Sequence, residues 1–183
     1  MDPSPVRVRG DGVVLREWTD ADLPALVELF DEPEIAAWTP IESPFDAAAA
    51  ARYLGRARVR RAEGRALQLA VTTDGGAPRG EVLLFDPAGG TAELGYAIGA
   101  AHRRRGLARA AVLALVDHAA TAFGLTTFVL RIPPANTASH AVARACGFAP
   151  AGVPLVTRAA KGRRVRLETW SLTPARSDGS AAR

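Results

Sequence analysis

The sequence predicts a mixed α/β (α+β) domain built on one twisted sheet with helices on its faces. Two observations predict this class: strand-like and helix-like segments alternate along most of the chain, and strand pairs joined by turn residues occur near both ends. At 183 residues the chain is long enough for one domain with a substantial core.

The first half of the chain predicts one strand, three helices and a hairpin. Residues 12–18 (GVVLREW) form the strand, and a helix follows in which Thr19 or Asp20 supplies the N-cap before an apolar stripe. Residues 31–38 and 46–63 predict two further helices. The segments ALQLAVTT and RGEVLLFD, joined by the turn residues DGGAP, predict a β-hairpin.

The second half predicts a strand at residues 91–98, a long helix after the segment HRRRG, and the strand TTFVLRI. The helix TASHAVARACG and two closing strands, around FAPAGVPLV and VRLETWSL, complete it. We expect a loose N-terminus at residues 1–9, a single domain at 10–173 and a disordered tail at 174–183, because the ends are proline-rich or polar.

The composition limits the binding partners and the cellular compartment that we expect for the protein. The formal net charge of +4 and the pI near 10.2 suit either nucleic acid or a phosphorylated cofactor, and charge alone does not separate the two. The single Cys146 excludes a disulfide framework and a cysteine zinc site, and it fits a reducing cytoplasm. No apolar run approaches about 18 residues, and the N-terminus lacks a signal-peptide core, so we expect a cytoplasmic protein with no metal site and no membrane partner.

Three consecutive arginines, at residues 103–105, stand just before a long predicted helix. A helix N-terminus is already partly positive, so this arrangement is unfavourable unless an anion neutralises it. The first N–H groups of the helix have no partner within it, and Gly106 allows a phosphate to approach the backbone closely. No G-x-x-x-x-G-K-[ST] or G-x-G-x-x-G motif occurs. We therefore expect a phosphate-binding helix terminus, the alternative being a basic loop that is merely solvated.

This loop resembles that of the GCN5-related N-acetyltransferases (GNAT), whose pattern is [Q/R]-x-x-G-x-[G/A]. The segment AELGYAI precedes it at the expected distance, and NTASHAVARACGF resembles the N-x-x-S…GF segment of that family. REWTDADLPALVELF and WTP resemble the branch that acetylates ribosomal-protein N-termini. The likeness covers about residues 10–172 and implies a largely antiparallel mixed sheet, flanked by helices, with a cofactor cleft between two splayed parallel strands.

The resemblance implies acetyl-CoA as acyl donor, with its diphosphate held by backbone N–H groups of the loop and its acetyl oxygen near those of the preceding strand. The cofactor-binding residues that it implies are Tyr96, Ala97, Ile98, Arg103, Arg104, Arg105, Gly106, Leu107, Ala108, Asn136 and Ser139. Asn136 also stands where a helix N-cap belongs, and both roles can hold.

Acetyl transfer requires a neutral amine, so an acceptor with a high pKa needs a general base. Glu93 is the first candidate, because it lies on the strand that enters the loop, on the face opposite Leu94, Tyr96 and Ile98. The alternative is a solvated or salt-bridged strand glutamate. Glu168, in the last strand, is a second candidate.

Protonation of the leaving thiolate is the step for which the expected residue is missing. Many relatives place a tyrosine seven residues after the helix asparagine, but here that position holds Ala143. Ser139 lies on the same helix face and could orient the sulfur or relay a proton. His140 points about 100° away and is expected at the surface.

The acceptor site is defined only loosely by the sequence. Trp38 and Trp170 are candidate substrate-binding residues, with Phe45 and Tyr53 as further aromatics, and burial in the core is the alternative for each. The arginines of residues 46–63 are either the solvated face of a helix or a surface for acidic tails or RNA. The few aromatics give no stacking ladder, which argues against nucleic acid.

The sequence thus predicts an N-acetyltransferase acting on a protein N-terminus or a small amine. A non-catalytic acyl-CoA-binding or RNA/protein-binding module on the same fold, or transfer of another acyl group, stays open. The resemblance makes a homodimer one option, although no self-complementary patch is visible.

Overall fold

The computed structural model describes residues 5–174, whose strands form one mixed sheet with helices on both faces. The strands are β1 (Arg7–Gly10), β2 (Val13–Glu17), β3 (Ala66–Thr72), β4 (Gly80–Ala88), β5 (Thr91–Ile98), β6 (Thr127–Ile132), β7 (Ala149–Pro150), β8 (Val156–Ala160) and β9 (Arg163–Leu172). The helices are α1 (Leu23–Phe30), α2 (Pro33–Trp38), α3 (Ala47–Ala62), α4 (Leu107–Phe123) and α5 (Thr137–Ala145), with 3₁₀ turns at Asp20–Asp22 and Ala100–His102. The predicted α/β class is confirmed.

The strand order is β1-β2-β3-β4-β5-β6-β9-β7, and β8 pairs with β9. Within the described chain every pairing is antiparallel except that of β5 with β6, as the resemblance implied. The predicted hairpin of β3 and β4 forms, with Leu69 opposite Val82.

The N-terminus differs from the expectation of a loose segment at residues 1–9. Arg7–Gly10 form β1, which pairs with β2 across a tight turn in which Gly12 takes a positive φ of 68°. The edge of the sheet therefore begins inside the segment expected to be loose. Residues 1–4, and the expected tail from residue 175 onward, lie outside the described residues.

Local capping explains where three helices begin. Thr19 precedes the 3₁₀ turn, and its N–H donates to the Asp22 carboxylate at 2.8 Å, so α1 starts only at Leu23. Asp46 caps α3 by accepting from Ala49 N–H at 2.8 Å, and Asn136 caps α5.

Two apolar clusters cover the two faces of the sheet. One packs α4 and α5 against the sheet and includes Leu94 and Ile98 of β5. The other packs α1, α2 and α3 against the opposite face and includes Ala97. The alternation predicted for this strand is therefore present.

The sheet opens between its two parallel strands. Residues 91–94 of β5 pair with residues 127–130 of β6, and beyond Leu94 the strands diverge while β5 continues to Ile98. Helices α4 and α5 lie on one face of the sheet at this opening, and we call the other face, which carries α1, α2 and α3, the acceptor face. The hairpin of β8 and β9 borders it, since only the second half of β9 pairs with β6.

Candidate active site

The arginine loop presents backbone N–H groups at the start of α4. Arg104 and Gly106 adopt left-handed φ values of 60° and 77°. The first bond of the helical ladder runs from Ala110 N–H to Gly106 C=O at 3.0 Å, so the N–H groups of residues 107–109 precede the ladder. A Cβ built on Gly106 meets no atom within 4 Å, so the space in front of this backbone is open. The arrangement suits an anion.

The three arginines of the loop are not equivalent. Arg103 donates to Ile98 C=O through Nε at 2.9 Å, and its Nη2 lies 2.6 Å from a Glu32 oxygen. It also pairs with Glu34, so its side chain ties the loop to α2. Arg104 and Arg105 are exposed, and no carboxylate of residues 5–174 forms an ion pair with either. Their guanidinium groups remain available to an anion.

Tyr96 and Ser139 meet across the opening in the sheet. The Tyr96 hydroxyl lies 2.7 Å from the Ser139 hydroxyl and 3.1 Å from its carbonyl oxygen. Asn136 holds this end of α5, because its side chain accepts from Ser139 N–H at 3.0 Å. Burial raises the pKa of Tyr96 to about 12, so the phenol keeps its proton at neutral pH. The sequence analysis used Tyr96 only for its backbone N–H and missed its hydroxyl, which carries a proton and contacts Ser139.

Glu93 is salt-bridged, which was the alternative to its role as a base. Its two carboxylate oxygens accept from Arg158 Nη1 and Nη2 at 2.7 and 2.6 Å, and Arg131 Nε lies 3.6 Å away. The side chain is only 13% exposed and faces the acceptor face, as does Arg158. The paired arginine comes from β8, 65 residues along the chain, and no local pattern indicates it.

Glu168 lies on the other face of the sheet from Glu93. Glu168 pairs with Ile132, whose side chain packs in the α4–α5 cluster, so Glu168 points to that face. Glu93 pairs with Val129, and residues an odd number of positions apart on a strand point to opposite faces. Glu168 accepts from Trp170 Nε1 at 3.2 Å. The structure does not bring the two predicted carboxylates into one site.

His140 is buried, contrary to the expected surface position. Its exposed fraction is 7%, its Nε2 donates to Pro133 C=O at 3.2 Å, and its Nδ1 faces Glu168 at 3.7 Å. It packs edge-on against Trp170. The reason is that α5 turns this side chain toward β9 rather than toward solvent. A cavity of 590 Å³ opens here, on the flank of α5 opposite Ser139.

The two predicted substrate-binding tryptophans are separated. Trp38, at the end of α2, is 41% exposed on the acceptor face, whereas Trp170 is buried on the α5 side. Near Trp38, Lys161 at the tip of the β8–β9 hairpin donates to Ala36 C=O at 2.7 Å. The hairpin thereby rests on α2 and borders the opening. Phe45 and Tyr53 pack in the α1–α3 cluster.

A buried carboxylate on β4 was missed by the sequence analysis. Glu81 is 1% exposed and accepts from Tyr53 hydroxyl at 2.6 Å, from Trp18 Nε1 at 3.0 Å and from Gln68 Nε2 at 3.5 Å. Burial raises its pKa to about 7, against the effect of these donors. The available signal was a single charge inside the apolar run of the segment RGEVLLFD.

Four of the five arginines of α3 form ion pairs with nearby acids, and Arg56 forms none within residues 5–174. The ion pairs are Arg52–Glu42, Arg58–Asp20, Arg60–Asp86 and Arg61–Glu17. A helix face so paired offers little net charge to a polyanion. Among residues 5–174, no three His, Cys, Asp or Glu side chains are grouped as they would be around a metal ion. No helix in that part of the chain is both long and apolar enough to cross a bilayer.

Comparisons with known proteins agree with this geometry. The family described as "Acetyltransferase (GNAT) domain" matches residues 13–149. The chain is 32% identical, over 89 residues, to an uncharacterized N-acetyltransferase p20 of Bacillus licheniformis; the match covers 49% of this chain and 50% of that protein. The chain thus spans about half the length of this curated relative.

Solved structures share the fold at low identity. A ribosomal-protein-S5-alanine acetyltransferase from Vibrio fischeri superposes with a TM-score of 0.76 at 18% identity, over 92% of this chain and 96% of that one. A spermidine N-acetyltransferase from Vibrio cholerae, in complex with CoA and spermine, gives 0.74 at 18% identity, over 88% and 95%. Because these two proteins carry different acceptors in their names, the shared fold does not select the amine.

Proposed function

Because the chain belongs to the acetyltransferase (GNAT) family, we propose that it transfers the acetyl group of acetyl-CoA to a primary amine by direct attack in a ternary complex. Family membership makes it an acyl-CoA-dependent acyltransferase with acetyl-CoA as donor. The attack on a primary amine and the residue roles are our proposal. The observation that carries it is the opening between β5 and β6, which lies beside a loop of free backbone N–H groups.

The cofactor would lie along the α4 side of this opening. The N–H groups of residues 104–108 would hold the diphosphate, with Arg104 and Arg105 adding charge. Arg103 would act on the cofactor indirectly, by fixing the loop against Glu32. The N–H groups of Tyr96, Ala97 and Ile98 would stabilise the oxyanion that forms on the thioester carbonyl.

Proton transfer would use groups on both faces of the sheet. On the acceptor face, Glu93 would accept the proton of the ammonium, directly or through water, once its contact with Arg158 is released. On the other face, the paired hydroxyls of Tyr96 and Ser139 would donate a hydrogen bond to the departing thiolate. Tyr96 would thereby take the place of the tyrosine that is missing at Ala143.

Glu168 has no place in this scheme as a base. It lies on the face of the sheet opposite Glu93, with Trp170 and His140. We propose instead that it positions α5, and hence Ser139, by holding the side chain of His140 between strand and helix.

Calorimetry with acetyl-CoA tests the donor site, and a thiol-release assay over N-terminal peptides, polyamines, amino acids and antibiotics tests the reaction. Gly106→Val should weaken acetyl-CoA binding at least ~10-fold, since it strains a positive φ and fills the space before the backbone. Gly152→Val is the matched control, because Gly152 also has a positive φ and open space but lies outside the loop. No binding at millimolar acetyl-CoA contradicts the proposal. Binding without thiol release from any amine supports the alternative, a non-catalytic binding protein.

A further inference from the structure

The acceptor face carries more positive than negative charge where the sheet opens. Arg131 and Arg158 both contact Glu93, so two guanidinium groups face one carboxylate. All three side chains are at least half-buried, with exposed fractions of 23%, 44% and 13%. The charge of Asp86 also acts on Arg158, but Asp86 forms an ion pair with Arg60, and among the described residues no second acid forms an ion pair with either arginine.

One of these arginines has a donor that is not used. Arg131 Nε is buried and makes no hydrogen bond within the described residues, since the nearest Glu93 oxygen is 3.6 Å away. The Nη1 group of Arg131 is held by Thr169 on β9. A buried guanidinium N–H without an acceptor is unfavourable, and a bound anion would supply the acceptor.

The arginine from β8 is well placed to meet a ligand. Arg158 pairs with Val165 and so lies on the inner side of the β8–β9 hairpin, while Lys161 fixes the tip of that hairpin on α2. Arg158 remains 44% exposed even while it binds Glu93. Its planar guanidinium can therefore exchange Glu93 for a second carboxylate without leaving the site.

We infer that the acceptor is an amine that carries a carboxylate a few bonds away, and that Arg131 and Arg158 bind this carboxylate. The inference rests on the proposed function and names the substrate class of that site. Glu93 lies four positions before Ala97, about 13 Å at roughly 3.3 Å per residue, and its side chain covers part of that distance. An amine at the thioester would thus have its carboxylate at the arginines if the two groups are on the order of 5–10 Å apart, as in a peptide whose second residue is acidic.

The exchange of Glu93 for the acceptor carboxylate at Arg158 also frees Glu93 to act as the general base. When the acceptor carboxylate takes the hydrogen bonds of Arg158, Glu93 is released and accepts the proton of the ammonium through water. The amine nitrogen then forms a bond to the thioester carbon, the C–S bond breaks, and the second amine proton leaves with the thiolate, giving amide and free thiol. A polyamine lacks the carboxylate and meets net positive charge, so it is disfavoured.

Thiol release with matched acceptors tests the inference. The peptide amides Ala-Glu-Ala, Ala-Gln-Ala and Ala-Lys-Ala carry an acidic, a neutral and a basic second residue, and the first two have nearly the same shape. Thiol release with free glutamic acid is also compared with that with glutamine amide, which shows whether the acceptor is a free amino acid or a peptide. We expect kcat/KM for the acidic member of a pair to exceed that of its neutral partner by ~10-fold or more, as for a charged hydrogen-bonded contact.

The variant Arg158→Gln should reduce this preference to within about twofold, and Arg158→Lys, which keeps the charge but not the fork, should give an intermediate value. Arg166→Gln is the matched control, because Arg166 lies on the outer side of the same hairpin and is exposed. It should keep the preference of the unmodified protein. Binding of the acetylated product of Ala-Glu-Ala-amide, measured by calorimetry, should also weaken in Arg158→Gln.

The outcomes separate this inference from the proposed function. Turnover of neutral and acidic partners at equal rates overturns the inference and leaves the acetyltransferase function standing. An equal preference for the acidic acceptor in Arg158→Gln and Arg166→Gln also overturns the inference, since Arg158 would then not bind the carboxylate of the acceptor. If acetyl-CoA binds and no amine in any arm is acetylated, the proposed function fails and the inference fails with it.

Discussion

Replacing Glu81 by glutamine should remove a pH dependence from the stability of the fold. Glu81 is buried among Trp18, Tyr53 and Gln68, and burial raises its pKa from 4.5 to about 7. The folded state therefore binds the proton more tightly than the unfolded chain does. The stability that this proton contributes is fully present below about pH 4.5 and is lost as the pH rises to about 7.

The size of the effect follows from the gap between the two pKa values. Each pKa unit corresponds to about 1.36 kcal/mol, so the gap between 4.5 and about 7 amounts to about 3 kcal/mol. Glutamine has nearly the same shape and stays neutral, so it resembles the protonated acid at every pH. Glu81→Gln should gain stability relative to the unmodified protein as the pH rises across this window, by up to about 3 kcal/mol.

Urea unfolding of both proteins at several pH values between 4.5 and 8 measures this difference, because titrations common to both cancel. Glu28→Gln is the matched control, since it makes the same change at an exposed position of α1 and should alter the free energy of unfolding by less than about 0.5 kcal/mol. A difference between Glu81→Gln and the unmodified protein that stays constant with pH would refute the reasoning.

Two further predictions concern the cofactor cleft. Tyr96→Phe removes the hydroxyl that pairs with Ser139, so kcat for thiol release should fall at least ~10-fold with little change in KM. A kcat within twofold of that of the unmodified protein would contradict the role proposed for this phenol. Arg103→Ala should weaken acetyl-CoA binding about fivefold, because it frees the loop from α2. A double-mutant cycle with Glu32→Gln should show a coupling energy of about 1 kcal/mol. Additive effects of the two substitutions would mean that this ion pair does not position the loop.

The fold was largely predictable from the sequence, because its signals are local. Apolar periodicity, caps and turn residues mark most helices and strands. The strand β1 was missed because a four-residue edge strand with alternating arginines carries little apolar signal. The strand predicted around FAPAGVPLV was wrong over residues 151–155, and β8 (Val156–Ala160) was missed, because its segment VTRAA is mostly exposed and has no apolar alternation. The parallel pair β5–β6 and the opening between them came from the family resemblance. The arginine loop was located for the same local reason, since charge, glycine and helix start are adjacent in the chain.

The candidate site beyond the loop was less predictable, because its contacts join residues far apart in the sequence. Glu93 was identified as a carboxylate on the right strand, but its partner Arg158 comes from a hairpin whose path depends on the packing of α2. Glu168 was named as a second candidate base because it is a carboxylate in the last strand beside Trp170, and the register of β9 on β6 puts it on the face opposite Glu93.

The sequence by itself determined the class of fold, most of its helices and strands, and the position of the arginine loop before α4, because each depends on residues within a turn or a strand of one another. Tertiary structure alone decided which charges meet. It set the burial of Glu81, the pairing of Tyr96 with Ser139, and the excess of guanidinium over carboxylate at the opening. These properties depend on solvent exclusion and on distances between strands, which a linear pattern does not encode.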